Sequence, residues 1–212
     1  MCWVRAFEVE TPHGPARVHL DPVRRPVAAL VLGHGAGGGV EARDLVAASK
    51  AARQQGLTVA LVEQPYRVAG RRSPAPARQL DAAWLAVVRR LREKELSNLP
   101  IICGGRSSGA RVACRTAADV EPIGVLCLAF PVHAPGKGDD PSKSRLPELD
   151  AVKVPTLVVQ GERDPFGMPP DGPNRQVVRV PGDHSLRNTE AVTAAVTGWL
   201  ASEMGGAGFE PA

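Results

Sequence analysis

The chain has 212 residues, enough for one domain burying roughly 70% of its unfolded surface. With 43% hydrophobic and 23% charged residues, and with 22 glycines and 20 prolines, it falls in the globular range and outside the disordered and fibrous classes. No apolar run reaches the ~18 residues of a membrane helix, residues 1–10 (MCWVRAFEVE) have no leader-like apolar stretch, and the net charge of +4 is scattered among few aromatics, which argues against a nucleic-acid platform.

In chain order, residues 6–10 and 16–20 read as strands around the turn TPHGP, an N-terminal hairpin. The segments 27–32 (VAALVL), 58–62 (TVALV), 99–103 (LPIIC), 123–128 (IGVLCL), 156–160 (TLVVQ) and 176–180 (QVVRV) are continuous apolar runs, the pattern of strands buried on both faces. Between them Leu45, Val46, Ser49 and Ala52, then Leu80, Trp84, Val87, Val88 and Leu91, then Val112, Ala113, Thr116 and Ala117, and finally Val192, Ala195, Val196 and Trp199 follow helical spacing. Alternating strands and helices predict a doubly wound α/β domain, mostly parallel, with the antiparallel hairpin at one edge. Residues 131–150 show no clear periodicity. The expected organisation is one domain over 1–204 and a loose tail over 205–212.

Cys2, Cys103, Cys114 and Cys127 contain no CxxC pair, so neither a zinc site nor a disulfide framework is expected, and a reducing cytoplasm fits.

The run 99–103 leads directly into Gly104-Gly105-Arg106-Ser107-Ser108-Gly109, after which a helix begins. Gly105-x-Ser107-x-Gly109 is the pattern of a nucleophile elbow, a sharp strand-to-helix turn that holds a serine above the sheet. Nine serines and 22 glycines give about 0.1 expected matches by chance, and the strand–helix context sharpens the reading. A serine nucleophile needs a base, and the base an orienting carboxylate. Of five histidines only His184 lies between the last strand and the last helix. Asp164 follows the strand 156–160, which gives the order Ser107, Asp164, His184 that this fold requires. Glu162 and Asp183 are the alternative acids.

The strand 27–32 ends in Gly33-His34-Gly35-Ala36-Gly37-Gly38-Gly39. One reading makes this loop the source of an oxyanion N–H at Ala36, beside that of Ser108. The other is the dinucleotide fingerprint Gly33-x-Gly35-x-x-Gly38, with Glu63 as the ribose acid. The first is favoured, since a hairpin precedes the loop and a dinucleotide site leaves Ser107, Asp164 and His184 unexplained. No Gly-Lys-Ser/Thr follows either glycine run, which excludes a P-loop.

On His34-Gly35-Ala36-Gly37, Pro65-Tyr66-Arg67 with Arg71-Arg72, the serine elbow, residues 130–137 and residues 161–167, the chain resembles a small α/β-hydrolase over nearly all of 17–201. More narrowly it is similar to the capless group near dienelactone hydrolase, and to the group containing the third subunit of the nuclear NSL acetyltransferase complex. Dienelactone hydrolase itself uses a cysteine nucleophile, so its activity is not implied by Ser107. The resemblance implies Ser107 as nucleophile, Asp164 and His184 as its partners, and a shallow pocket above the carboxyl ends of the strands, where a cap is reduced to the segment 133–148. His34, Arg67 and His133 are the expected substrate contacts; among Arg67, Arg71 and Arg72 a guanidinium reaching the pocket would favour an anionic substrate. The expectation is a cytoplasmic serine hydrolase acting on a small-molecule ester or related acyl compound, with no metal, no cofactor and no nucleic-acid or membrane partner. The alternatives are a hydrolase-fold interaction module with an idle triad and, behind it, a nicotinamide-dependent oxidoreductase.

Overall fold

The computed structural model describes residues 5–134, 136–138 and 140–206. Its strands are β1 (Arg5–Val9), β2 (Ala16–Asp21), β3 (Ala28–Gly33), β4 (Leu57–Glu63), β5 (Ile101–Arg106), β6 (Gly124–Leu128), β7 (Thr156–Gly161) and β8 (Arg175–Val180), joined in one sheet of order β1-β2-β4-β3-β5-β6-β7-β8. The hairpin β1–β2 pairs antiparallel and adds to β4 antiparallel; every pairing from β4 to β8 is parallel. The apolar runs serve two cores at once. In β3 all six residues are buried, with Ala28, Leu30 and Leu32 packing in one cluster and Ala29 and Val31 in the other, as the two-residue period of a strand requires.

The helices divide between those two clusters. Helices α1 (Arg43–Gln54) and α7 (Thr189–Gly206) cover one face of the sheet, through Leu45, Ala48 and Ala52 of α1 and Val192, Val196 and Trp199 of α7. The short α2 (Pro65–Val68) contributes Tyr66 to the other face, covered mainly by α3 (Ala77–Glu93), α4 (Ser108–Arg115), α5 (Ala117–Val120) and α6 (Leu146–Asp150). Each fully buried leucine contributes about 2 kcal/mol, so β3 and the stripe Leu80, Trp84, Val87, Val88 and Leu91 of α3 anchor the fold.

Four expectations are corrected. The run 176–180 is not buried on both faces: β8 is an edge strand with one neighbour, and Gln176 and Arg179 are exposed. The helix read through residues 112–117 breaks at Thr116, whose Oγ1 donates to the Val112 carbonyl, so α4 and α5 are separate. The aperiodic stretch 131–150 contains a 3-10 turn, Pro141–Lys143, and α6. Helix α7 continues to Gly206, two residues into the segment read as a tail; residues 207–212 lie outside the described residues, as does Cys2. Cys103, Cys114 and Cys127 are free and buried.

Candidate active site

Because β5 lies between β3 and β6, the residue after it stands at the centre of the sheet's carboxyl edge. That residue is Ser107, with φ 51° and ψ −107°, a strained conformation for any side chain. It is held by its N–H to the Leu128 carbonyl at 2.8 Å, and its own carbonyl accepts from Arg111 N–H at 3.2 Å. The flanking glycines are required by crowding. A Cβ at position 105 would fall 2.5 Å from the Gly33 carbonyl oxygen and 3.0 Å from Gly109 Cα, and one at position 109 would lie 2.9 Å from the His34 carbonyl oxygen. Backbone thus meets backbone on both sides of the serine.

The loops after β7 and β8 bring Asp164 and His184 to this serine. His184 Nε2 lies 3.0 Å from Ser107 Oγ, and Nδ1 lies 2.8 Å from Asp164 Oδ2. A carboxylate only accepts, so Nδ1 carries the proton and Nε2 presents its lone pair to the serine hydroxyl. The Asp164 side chain is 0% exposed. Its burial is offset by three donors: the His184 ring, the Gln160 side-chain amide on the same oxygen at 2.9 Å, and the Phe166 N–H on Oδ1 at 2.9 Å. The Phe166 ring packs against the imidazole with centroids 4.3 Å apart. Of the alternative acids, Glu162 is exposed, and Asp183 accepts the Ser185 N–H, a bond that holds its carboxyl below the usual range.

Among the described residues neither the Ala36 N–H nor the Ser108 N–H is spent on a protein acceptor. The peptide carrying the Ala36 N–H is fixed from its other end. His34 Nδ1–H donates to the Gly35 carbonyl at 2.8 Å, and in a trans peptide the N–H then points the opposite way. His34 Nε2 accepts the Gln64 N–H at 3.1 Å, and Tyr66 Oη donates to the Ala36 carbonyl at 3.0 Å, bracing the next peptide. The expectation that His34 touches substrate is therefore corrected: the residue is 2% exposed and both ring nitrogens are committed to backbone. Burial lowers its pKa and keeps it neutral.

A family model described as an alpha/beta hydrolase domain matches residues 26–196. The chain belongs to the α/β-hydrolase family. Family and neighbours support a hydrolase, and no curated protein is similar enough in sequence to serve as a closer guide. Among solved structures it is similar to XC6422 from Xanthomonas campestris, described as a serine hydrolase without lid (TM-score 0.74, 21% identity, 94% of each chain covered). It is also similar to Est1E from Butyrivibrio proteoclasticus (TM-score 0.73, 19% identity, 94% and 99% covered) and to a dienelactone hydrolase from Anabaena variabilis (TM-score 0.70, 17% identity, 94% and 97% covered). At these identities the likeness establishes the lidless α/β-hydrolase fold.

In this α/β-hydrolase the remaining expected contacts are placed as follows. Arg67 is half-buried on α2, and among the described residues no carboxylate pairs with it. His133 is half-buried, its Nδ1 2.9 Å from the Ala134 carbonyl; a Cβ on Gly138 or Gly167 would fall about 3 Å from its Nε2. The dinucleotide reading of the glycine loop loses both its supports. A Cβ on Gly38 meets nothing within 4 Å, so no close helix–strand packing requires glycine there, and Glu63 is engaged by His19 at 2.8 Å and Arg17 at 3.8 Å. Among the described residues no group of three His, Cys, Asp or Glu side chains converges as a metal site. No helix of the described residues is long and apolar enough to cross a membrane.

Proposed function

We propose that the protein is a serine hydrolase that cleaves a small ester or related acyl compound through an acyl-enzyme on Ser107. The observation that carries this reading is the continuous chain from Ser107 Oγ through His184 Nε2 and Nδ1 to the buried Asp164 carboxylate, at 3.0 and 2.8 Å. In the first half-reaction Ser107 Oγ attacks the acyl carbon while its proton passes to His184 Nε2, and Asp164 stabilises the imidazolium. The carbonyl oxygen gains negative charge beside the N–H groups of Ala36 and Ser108, donors that need no reorganisation. Collapse of the adduct breaks the bond to the leaving oxygen, which takes the proton from His184. In the second half-reaction a water gives its proton to His184 and attacks the acyl carbon; the bond from that carbon to Ser107 Oγ then breaks, Oγ takes the proton back from His184, and the carboxylic acid is released. His184 mediates every proton transfer in this scheme. The three buried free thiols fit a reducing cytoplasmic setting.

A fluorophosphonate probe tests the reading, because phosphonylation needs both an activated serine and an oxyanion site. One adduct is expected, on Ser107, located by mass spectrometry. Ser107→Ala abolishes it without loss of folding, and His184→Ala nearly does so. A well-folded sample that takes no adduct and turns over neither short nor medium acyl esters overturns the proposal in favour of an interaction module with an idle triad.

A further inference from the structure

Arg106 is the residue before Ser107, and its guanidinium bonds both the first turn of α1 and the loop after β8. Nε donates to Asp44 Oδ2 at 2.8 Å, Nη2 donates to the His184 carbonyl at 3.0 Å, and Nη1 occupies the space beside Gly35, where a Cβ would come within 2.8 Å of it. Asp44 lies in the first turn of α1 with its side chain 1% exposed, and its other oxygen accepts the Leu45 N–H at 2.9 Å. Among the described residues Arg106 is the one cation paired with that buried carboxylate. A pair serving stability alone would need nothing more than Asp44. Here the planar fork is divided, one arm to the carboxylate and the other to the backbone of the residue whose ring faces Ser107.

We infer that Arg106 is a positioning residue that locks the His184 loop and the first turn of α1 to the serine elbow. The inference rests on the serine-hydrolase reading above. The segment bearing His184 lies between two residues in the left-handed region, Gly182 at φ 127° and Leu186 at φ 43°. The Arg106 bond falls between these two points, on the carbonyl of His184 itself. It fixes the backbone from which the imidazole projects, as Asp164 and Phe166 fix the ring. Asp44 in turn aims the guanidinium, and α1, packed on α7, gives Asp44 a rigid base. Geometry at the reacting atoms is what this arrangement protects: Nε2 must stay within hydrogen-bond reach of Oγ, and a displacement of about 1 Å costs up to about 100-fold in rate.

Lysine separates charge from fork. It neutralises Asp44 but cannot hold Asp44 and the His184 carbonyl in one plane. For Arg106→Lys, kcat on an activated ester and the rate of fluorophosphonate labelling at Ser107 are expected to fall by about 10- to 100-fold, with KM changed less than about twofold and Tm nearly kept. The double variant Arg106→Met with Asp44→Asn removes the buried charges together, so it guards against misfolding, and it is expected to show the same loss in kcat. Adding guanidinium at tens of millimolar to Arg106→Ala is expected to restore part of the labelling rate, whereas ammonium is not. Folded variants that label and turn over at the wild-type rate overturn the inference while leaving the hydrolase reading intact. Loss of kcat only in step with loss of Tm also overturns it, by making Arg106 a stabilising residue. A wild-type protein that takes no label removes the hydrolase reading and this inference with it.

Discussion

Gln160 donates its side-chain amide to Asp164 Oδ2 at 2.9 Å, the same oxygen that faces His184 Nδ1. Gln160 is the penultimate residue of β7, 0% exposed, and its amide nitrogen also faces the carbonyls of Phe130 and Gly167 at 3.0 and 2.9 Å. One buried amide therefore joins the acid to the ends of two neighbouring segments, and the carboxylate cannot rotate without breaking that set.

Gln160→Met keeps the volume and removes the donor. It is expected to lower kcat by about 10-fold or more with little change in KM, since the ring is tethered less firmly but Gln160 itself is fully buried and out of a substrate's reach. The carbonyls of Phe130 and Gly167 lose a partner in the interior, which costs about 1–3 kcal/mol. A variant with lowered Tm and wild-type kcat would show that Asp164 is held well enough by the Phe166 N–H and the His184 ring.

What the sequence made legible at this site follows from where strands end. Ser107, Asp164 and His184 each occupy the first loop residues past a strand, so finding the strands places all three on one edge of the sheet, and the glycines at 105 and 109 mark the tightest turn. The residues that were missed act across long separations: Arg106 reaches Asp44 62 positions away and the His184 carbonyl 78 positions away. Only a guanidinium's length and fork make those contacts, and neither periodicity nor a motif records them. His34 was misplaced for a related reason. A glycine-flanked histidine in a loop reads as accessible, but the loop folds over it and both ring nitrogens go to backbone. In β8 the apolar residues Val177, Val178 and Val180 suggest an inner strand, but Gln176 and Arg179 stand exposed because the strand ends the sheet order.

The neutrality of His34 has a consequence for acid stability. Burial lowers its pKa in the folded chain, whereas the unfolded chain takes up a proton near the ordinary value of about 6.5. The contribution of His34 is therefore fully present above about pH 6.5 and is lost as the pH falls below it toward the folded-state value. At pH 8 His34→Ala is expected to lower Tm, because the Gln64 N–H and the Gly35 carbonyl lose their partner, and to lower kcat by about 10-fold through a loosened Ala36 peptide. The gap in Tm between the two proteins should narrow between pH 8 and pH 5. A gap constant across that range would mean that the ring is protonated as readily in the fold as outside it.

The glycines of the two loops are expected to behave differently. Gly109→Ala drives a Cβ into the Gly33 and His34 carbonyls, backbone that cannot yield, and should cost about 3 kcal/mol, roughly 10 °C in Tm for a chain of this size. Gly38→Ala meets open space, and its effect should stay within about 0.5 kcal/mol. Melting curves of the two variants check this directly; equal losses would contradict the close approach of the elbow to the end of β3.

The assignment of the acid is tested by two conservative substitutions. In Asp164→Asn the side-chain amide replaces an acceptor with a group that can donate, so Nδ1 is driven to the unprotonated tautomer and Nε2 carries the hydrogen toward Ser107. The serine then has no base. Folding is expected to persist, because the asparagine oxygen can still accept from Phe166 N–H or Gln160, while kcat falls by up to roughly 10⁴-fold. Asp183→Asn should be nearly silent, since that carboxylate is exposed and its bond to Ser185 N–H can be made equally by an asparagine oxygen. Measuring kcat of both variants on one activated ester at pH 8 decides the matter: a silent change at position 164 with a severe one at 183 would transfer the acid to Asp183 and require the His184 ring to turn away from the carboxylate that now holds it.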